Sequence, residues 1–474
     1  MSKIRISGLV LLFTGAAAIE AMQLSSLSAP ANSDVWWHLS SGLWMVQNHA
    51  LPRTGIFSQA AATAWIASSW LYDGLLALSY KGIGLRSIPI LLMGLRMALA
   101  IVALLLAGGL RRNFWPAVAL AAAAQYILGS VPPGPAYFSM LFFAVELLLL
   151  LESRRRHRLQ LLYWLPGLML LWANVDPQFV IGVGLVLLFL ASLVCERYLF
   201  SGTRSLEIGG VAKIVGVALV CTMLTPYFYR PYAVFWGVTF SPANFYLPDF
   251  RALGFRQPQD YVLLLLAMAA FLALGLRRSR DFFSIALLAG CLAAAFYSRR
   301  NVWLVTLAAV AVIGEACGED REQASEKTWK REGWIAVAVS VALLLISGWI
   351  RIPHNDQGLM ARVRQSYPVA ACDAIRQQHL PQPLFNAYEW GGFVTWYLPQ
   401  YAVAIDGRND LYGPEVITEY SKMMNADIPY TQYAAVNGAQ TILLPKRAIM
   451  ADALSSLPIF RVAYSDDVAI VLSR

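Results

Sequence analysis

The stretch "PQFVIGVGLVLLFLASLVC", residues 177–195, has no charged residue in 19 positions. An α-helix needs about 20 predominantly apolar residues to cross the hydrocarbon core of a bilayer. The apolar residues of the stretch run continuously and do not alternate with polar ones, which favours a helix over a strand of a membrane barrel. The stretch therefore predicts a membrane-spanning helix.

Similar runs recur along the 474 residues, of which 58% are hydrophobic and 14% charged, with a mean hydropathy of +0.54. A typical soluble chain has roughly 25% charged residues. The sequence thus predicts a polytopic α-helical membrane protein. Eleven spans are expected, at about 5–24, 88–109, 114–130, 136–151, 159–173, 177–196, 210–226, 260–276, 282–297, 301–316 and 333–350.

The first of these runs, within "MSKIRISGLVLLFTGAAAIEAM", resembles a signal peptide. No clear small-x-small cleavage site follows it and many apolar runs come later, so it is interpreted as an uncleaved span. The five cysteines, at 195, 221, 291, 317 and 372, are too far apart in sequence to predict a zinc site or a disulfide framework.

Basic residues determine the orientation. Clusters follow Met1 (Lys3, Arg5) and lie at Arg111–Arg112, 154–158 and 277–280. Cytoplasmic loops carry an excess of Lys and Arg, and these clusters share one side only if the short apolar segment 68–85 lies in the membrane interface and does not cross. We therefore expect the N-terminus inside and the C-terminus outside. The net charge of +9 reflects these loops, so nucleic acid is not an expected partner.

This orientation leaves two large regions outside, the loop 25–87 and the tail 351–474. The chain is thus predicted to comprise a transmembrane domain, 1–350, and a soluble α/β domain, 351–474. Strand-like runs in the tail are "PLFN" at 383–386, "YAVAI" at 401–405, "TILL" at 441–444, "RVAY" at 461–464 and "VAIVL" at 468–472. The last two, separated by "SDD", predict a hairpin. The tail is expected to lean over the first outside loop, with Trp390 and Trp396 at the contact.

Asp34 is the only carboxylate between Glu20 and Asp73. The stretch 33–48 predicts an amphipathic helix that places Asp34, Trp37, His38 and Ser41 on one face. Trp36, Leu43 and Trp44 fall elsewhere and suit the membrane boundary. Asp34 can be a capping acid in the first turn or a functional group at the membrane surface.

Five motifs resemble bacterial membrane proteins of the GT-C glycosyltransferase superfamily. They are "DVWWHLSSG" at 34–42, "PRTGIFS" at 52–58, "WLYDGLLALSY" at 70–80, "FNAYEWGGFVTWYLP" at 385–399 and "IDGRNDLYG" at 405–413. The resemblance implies a polyprenyl-phosphate-linked sugar donor and a catalytic acid in the first outside loop, which maps onto Asp34. Gly55 stands where relatives usually have an acid, and Asp176 where they commonly have histidine.

The chemistry of sugar transfer needs a base for the acceptor hydroxyl, or a metal held by a carboxylate. Asp34 is the candidate for either role, so a divalent metal held by Asp34 is one alternative. His38 can bind phosphate or orient Asp34, or it is a partly buried interfacial histidine. Asp176, in "WANVDPQFVIG", is a candidate second acid or a turn residue.

Positive charge is scarce on the expected outer side, so Arg230, Arg251, Arg256, Arg299 and Arg300 stand out. Arg230, Arg299 and Arg300 are the candidates for binding the donor phosphate, since guanidinium binds phosphate bidentately. Snorkelling to lipid headgroups is the alternative.

In the tail, the Asp406–Gly407 turn is expected to present Arg408 and Asp410 on an exposed loop. These three charged residues are ligand candidates, or Asp406 and Arg408 form a structural pair.

The sequence thus predicts a multi-pass inner-membrane glycosyltransferase whose partners are membrane lipids and a polyprenyl-phosphate sugar, with its C-terminal domain periplasmic. The alternative, favoured by Gly55, is a non-catalytic GT-C-like component. Such a protein would use its C-terminal domain to bind glycan, lipid or a larger membrane protein complex. A transporter is less favoured, because the spans show no paired, broken-helix halves.

Overall fold

The computed structural model describes residues 34–108, 114–199, 206–276, 281–316, 346, 352–353 and 355–474. Its helices in the first three-quarters of the chain are α1 Asp34–Asn48, α2 Trp70–Ile83, α3 Ser87–Leu106, α4 Phe114–Leu128, α5 Ala136–Arg156, α6 Leu165–Val175, α7 Phe179–Leu199, α8 Ile208–Thr222, α9 Arg230–Thr239, α10 Pro258–Leu276, α11 Phe282–Tyr297 and α12 Val302–Ala316. The predicted spans 5–24 and, apart from residue 346, 333–350 lie outside the described residues.

The other nine predicted spans all fall on helices, from α3 to α8 and from α10 to α12. Four helical segments of the described chain are long and apolar enough to cross a membrane: Trp70–Leu106, Ala136–Arg156, Phe179–Tyr198 and Pro258–Leu276. Shorter apolar helices accompany them at Pro116–Leu128, Leu159–Val175, Ile208–Cys221 and Phe282–Tyr297. The chain is a helical membrane protein, and the count of eleven crossings stays a prediction.

The segment 68–85 forms α2, which is separated from α3 only by a turn at Gly84. Gly84 has φ +67°, a backbone region that favours glycine. Together α2 and α3 make up the longest apolar helical segment. The expectation that 68–85 does not cross the membrane stays a prediction.

The tail contains α13 Asp356–Val363, α14 Val369–Gln377, β1 Leu384–Asn386, α15 Tyr388–Tyr397, α16 Asn409–Met424, α17 Ala434–Asn437, β2 Thr441–Pro445, α18 Ile449–Ser455, β3 Arg461–Ser465 and β4 Ala469–Ser473. The four strands form one sheet in the order β1-β2-β4-β3. Strands β1 and β2 are parallel, whereas β4 pairs antiparallel with both β2 and β3. The predicted hairpin is therefore present as β3–β4.

The run "YAVAI" at 401–405 is not a strand of this sheet, so that prediction was wrong. Val403 instead makes an isolated parallel bridge to Ser58, and its backbone N–H donates to the carbonyl of Phe57. This extended segment therefore pairs with the first outside loop. The segment 401–405 does pair with another extended segment, but that segment, around Ser58, lies more than 340 residues away in the chain.

Helix α1 is held between the membrane helices and the tail. On one side, a Cβ at Gly42 would lie 2.0 Å from the carbonyl oxygen of Asp73, so only glycine permits this close crossing of α1 and α2. On the other side, Trp36 stacks on Trp396 of α15 with ring centroids 4.7 Å apart and also contacts Phe393. Trp36 is buried, so its expected place at the membrane boundary was wrong.

The tail therefore contacts the loop that carries Asp34, and Trp396 lies at the contact as predicted. Trp390 is buried within the tail. Glycine also shapes this region, because a Cβ at Gly391 would lie 2.0 Å from the carbonyl oxygen of Ile405.

Candidate functional site

Asp34 is the first residue of α1 and is partly exposed. Its Oδ1 accepts a hydrogen bond of 3.2 Å from the indole N–H of Trp37. Gly407 of the tail lies directly over the carboxylate, since a Cβ there would be 1.9 Å from Oδ1. The absence of a side chain at 407 thus lets the tail approach Asp34 closely.

Burial raises the pKa of Asp34, although the charges of His38 and Arg300 and the Trp37 N–H act in the opposite direction. A carboxylate with a raised pKa is a better proton acceptor than an ordinary aspartate once it is ionised. This is the property that a general base at the site requires.

His38 lies one turn further along α1 and is buried. Its Nδ1 is 2.5 Å from Oδ1 of Asp73 on α2, and Asp73 is completely buried. His38 therefore forms a buried pair with Asp73, while Asp34 takes its hydrogen bond from Trp37. The pair still lies beside Asp34, because the ring of His38 stacks on that of Trp37.

Asp176 occupies the turn between α6 and α7 and is buried. It accepts hydrogen bonds from the hydroxyl of Ser139 at 2.8 Å and from the backbone N–H of Gln178 at 3.1 Å. Ser139 in turn accepts from the indole N–H of Trp172 at 2.7 Å. These contacts match the turn role of Asp176, and its charge is also within electrostatic range of Arg300 and His38.

The charge of Arg300 affects several carboxylates of the site. It is exposed, and its guanidinium lies over the ring of Phe250 at 5.0 Å. Its charge acts on Asp34, Asp176 and Asp249, three carboxylates from different parts of the chain. Within the described residues Arg300 forms no ion pair of 4.0 Å or less.

The other candidate phosphate ligands differ from Arg300. Arg299 is half-exposed and faces Asp260 at 3.6 Å, while its charge also reaches Asp249. Arg230 is the first residue of α9 and is exposed. No contact in the described part of the chain brings Arg230 to Asp34 or to Arg300.

Arg408 is buried, so the expectation that it lies on an exposed loop was wrong, and its partner Asp406 is buried as well. The exposed fractions of Asp406 and Arg408 are 0% and 2%. Arg408 donates to both oxygens of Asp406 over 2.6–3.1 Å, and its Nη1 donates to the carbonyl of Ile56 at 2.9 Å. The pair thus has the structural role that was the alternative, joining the tail to the first outside loop.

Asp410 is exposed and accepts a hydrogen bond of 3.1 Å from the indole N–H of Trp65. Trp65 also lies beneath the guanidinium of Arg408 at 5.0 Å. Of the three tail candidates, Asp410 alone is an exposed residue.

The space around Gly55, where the resemblance leads one to expect an acid, is filled by neighbouring groups. A Cβ there would lie 2.5 Å from the carbonyl oxygen of Ala60 and 2.8 Å from a methyl group of Leu411. Leu411 of the tail therefore fills the space that a side chain at 55 would need. No group of three or more His, Cys, Asp or Glu side chains that could hold a metal ion occurs in the described ranges.

The sequence reasoning missed three residues near Asp34. Asp73 pairs with His38, a contact that was not predicted. Asp249 precedes Arg251 in the loop between α9 and α10, and its charge interacts with Asp34. Tyr388 donates to the Asn409 side chain at 2.8 Å and is within electrostatic range of Asp34. The motif "NAYEW" contains Tyr388, so its place in a motif was the available signal.

No protein-family model matches the chain. No curated protein matches it either. Similar folds occur among solved structures.

The archaeal oligosaccharyltransferase AglB from Archaeoglobus fulgidus, in complex with an inhibitory peptide and a dolichol-phosphate, has a TM-score of 0.53 at 11% identity, over 93% of this chain and 69% of that one. The apo form of the Archaeoglobus fulgidus oligosaccharyltransferase gives a TM-score of 0.50 at 12% identity, with the same coverage. ArnT from Cupriavidus metallidurans in the apo state has a TM-score of 0.49 at 15% identity, over 98% of both chains. The similarity to AglB concerns the fold, so the chain shares the fold of this oligosaccharyltransferase, in agreement with the GT-C-like fold that its motifs predicted.

Proposed function

We propose that this protein is a glycosyltransferase that moves a sugar from a polyprenyl-phosphate donor to an acceptor hydroxyl. The site lies on the periplasmic side of the bacterial inner membrane in this proposal. The fold is shared with AglB, whose structure contains a dolichol-phosphate. The observation that carries the proposal is Arg300, an exposed cation whose charge reaches Asp34 and Asp176 and which has no ion pair among the described residues.

In the proposed reaction, Asp34 accepts the proton of the acceptor hydroxyl as its oxygen bonds to the anomeric carbon of the sugar. The bond from that carbon to the phosphate oxygen breaks, and the lipid phosphate leaves with the bonding electron pair. Arg300, assisted by Arg299, stabilises the charge on this phosphate, because charge-assisted hydrogen bonds to phosphate are among the stronger ones in proteins.

His38 and Asp73 have a positioning role in this proposal. The buried pair fixes the ring on which Trp37 stacks, and Trp37 donates to Asp34. A divalent metal is not used in the proposed steps. The described residues offer Asp34 no second carboxylate at position 55, where Leu411 fills the space.

The same contact between Gly55 and Leu411 favours a second candidate function, a non-catalytic component with the GT-C fold. Such a protein would keep the lipid phosphate site but turn over no donor. Both candidates bind the polyprenyl phosphate, but only the enzyme transfers the sugar, so binding and transfer both need to be measured.

The test uses the full chain in proteoliposomes with a radiolabelled polyprenyl-phosphate sugar and a membrane extract as the source of acceptor. Transfer of label, together with binding of the unlabelled polyprenyl phosphate, supports the enzyme. Binding without transfer under all conditions supports the non-catalytic component. Absence of both contradicts the proposed function.

The proposed membrane side has its own test. In a cysteine-free background, single cysteines at 155 and 400 are exposed to an impermeant thiol reagent in intact spheroplasts. We expect position 400 to be labelled from outside and position 155 only after lysis. Labelling of 155 in intact spheroplasts would overturn the orientation.

A further inference from the structure

Glu146 is an acidic residue in the middle of a membrane helix that the proposed reaction does not use. It lies on α5, one of the helices that are long and apolar enough to cross a membrane. Its exposed fraction is 0%, and neither carboxyl oxygen has a hydrogen-bond partner among the residues that the structure describes. Ionisable side chains inside a membrane are costly and usually functional, so this residue requires an explanation.

The Glu146 carboxyl lies beside apolar groups where α5 approaches Gly182. A Cβ on Gly182 of α7 would lie 2.7 Å from Oε2 of Glu146, 2.4 Å from the ring of Trp172 and 3.0 Å from the methyl group of Met169. The carboxyl thus occupies space that exists because residue 182 has no side chain. Its neighbours there are an indole ring and a thioether.

These neighbours restrict what the carboxyl can bind. A hard metal cation requires several oxygen ligands, and the indole ring and thioether beside Gly182 supply none. An ionised carboxylate without a partner is strongly disfavoured in such a place. A proton needs no further ligand, and it removes the charge.

We propose that Glu146 is a proton-binding site inside the membrane domain, occupied by its proton at neutral pH in the folded protein. Release of this proton requires water to reach the carboxyl. Trp172 joins the surroundings of the carboxyl to a chain of hydrogen bonds: its ring lies against Gly182 beside Glu146, and its N–H donates to Ser139, which donates to Asp176. In this proposal, movement of Trp172 is the step that lets water reach the carboxyl.

The test compares two carbodiimides on the full-length protein in membranes at neutral pH. The hydrophobic reagent dicyclohexylcarbodiimide partitions into the bilayer and reacts with protonated carboxylic acids to give a stable N-acylurea. A water-soluble carbodiimide with a hydrophilic amine instead modifies acids that water reaches. Mass spectrometry of the peptide containing residue 146 reports both products.

We expect the hydrophobic reagent to modify Glu146 in most molecules and the water-soluble reagent to leave it unmodified. Glu152, on the same helix but ion-paired with Arg155 and Arg156, is the internal control and should not react with the hydrophobic reagent. Exposed Asp452 is the control for the water-soluble reagent.

The variant Glu146→Gln provides a second readout. The infrared spectrum of the parent minus that of the variant should show the carbonyl stretch of a protonated carboxylic acid. If the variant fails to fold, the two labelling reactions on the parent still decide. Lack of modification of Glu146 by the hydrophobic reagent, or modification by the water-soluble one in the folded protein, would overturn the proposal. The result is independent of whether the protein transfers sugar.

Discussion

Two groups of charged residues meet where the tail covers the first outside loop, and they are built differently. Asp406 and Arg408 are buried and use their hydrogen-bonding groups on each other and on the Ile56 carbonyl. Arg300 is exposed and faces the charges of Asp34 and Asp176 without an ion pair in the described chain. The first group is satisfied within the protein, whereas the second retains capacity for a ligand.

This difference separates a charge with a structural role from one to which the proposed function assigns a ligand. A buried pair with bidentate geometry fixes the orientation of the tail, and removal of one partner leaves a buried charge without compensation. An exposed arginine without an ion pair in the described chain is expected to have little effect on stability. Mutation of the buried pair should therefore lower stability, whereas mutation of the second group should lower activity or binding.

The largest effect is expected for Asp34→Asn. Asparagine keeps the size and can still accept from Trp37, but it cannot take a proton, so transfer should fall about 10²–10⁴-fold while folding is retained. Initial rates of sugar transfer at matched protein levels measure this change. The control is Asp452→Asn, on the exposed face of α18, which should behave as the parent.

A mild effect of Asp34→Asn would favour the capping role, since asparagine caps a helix nearly as well as aspartate. In that case the functional group of the site lies elsewhere, and the contrast between the two groups of charges no longer holds.

For the buried pair, Arg408→Ala should lower the free energy of unfolding by about 3–5 kcal/mol, because Asp406 would be left as an unpaired buried charge. Denaturant unfolding in detergent, followed by tail fluorescence, measures the loss. The control Arg461→Ala removes an exposed arginine of β3 and should change stability by less than about 0.5 kcal/mol.

A double variant tests whether the loss of stability in Arg408→Ala comes from the unpaired charge of Asp406. The double variant Asp406→Leu, Arg408→Met should lose less stability than the single variant, because no buried charge remains. Equal stability of Arg408→Ala and the parent would contradict the structural role of the pair.

The third prediction concerns donor binding. Arg300→Ala should weaken binding of polyprenyl phosphate by about 1.5–3 kcal/mol, roughly a 10-fold to 100-fold rise in Kd. Arg299→Ala should have a smaller effect, because Asp260 already faces that guanidinium at 3.6 Å. Equilibrium binding of a fluorescent polyprenyl phosphate compares them, with Arg461→Ala as the charge control. An unchanged Kd in Arg300→Ala would show that another cation holds the phosphate.

The sequence predicts the parts of this molecule that depend on local pattern. Charge-free runs such as 177–195 predict the helices, because a backbone in lipid must satisfy its own hydrogen bonds and a helix does so within one segment. Four of the five strand-like runs are strands. The failure at 401–405 has a long-range cause, since Val403 pairs with the loop at Ser58.

The site is only partly predictable for the same reason. Motif and charge make Asp34 and Arg300 candidates, but burial distinguishes Arg408 from Arg300, and burial depends on how the tail packs. The pairing of His38 with Asp73 required the close crossing at Gly42, which spacing within one helix does not show.

The smallest expected effect is a change in pH dependence for Trp37→Phe. Burial raises the pKa of Asp34, and the indole N–H of Trp37 opposes that rise by stabilising the ionised form. Because the base must be ionised to accept a proton, transfer should be lost as the pH falls through the pKa of Asp34. Without the indole N–H that pKa rises further, so the acidic limb of the rate profile should move to higher pH. Rates of transfer measured across the pH range on parent and variant test this shift. The two profiles should converge at high pH, where both carboxylates are ionised. A limb that stays in place, or one that moves to lower pH, would show that Asp34 is not the group whose ionisation controls transfer.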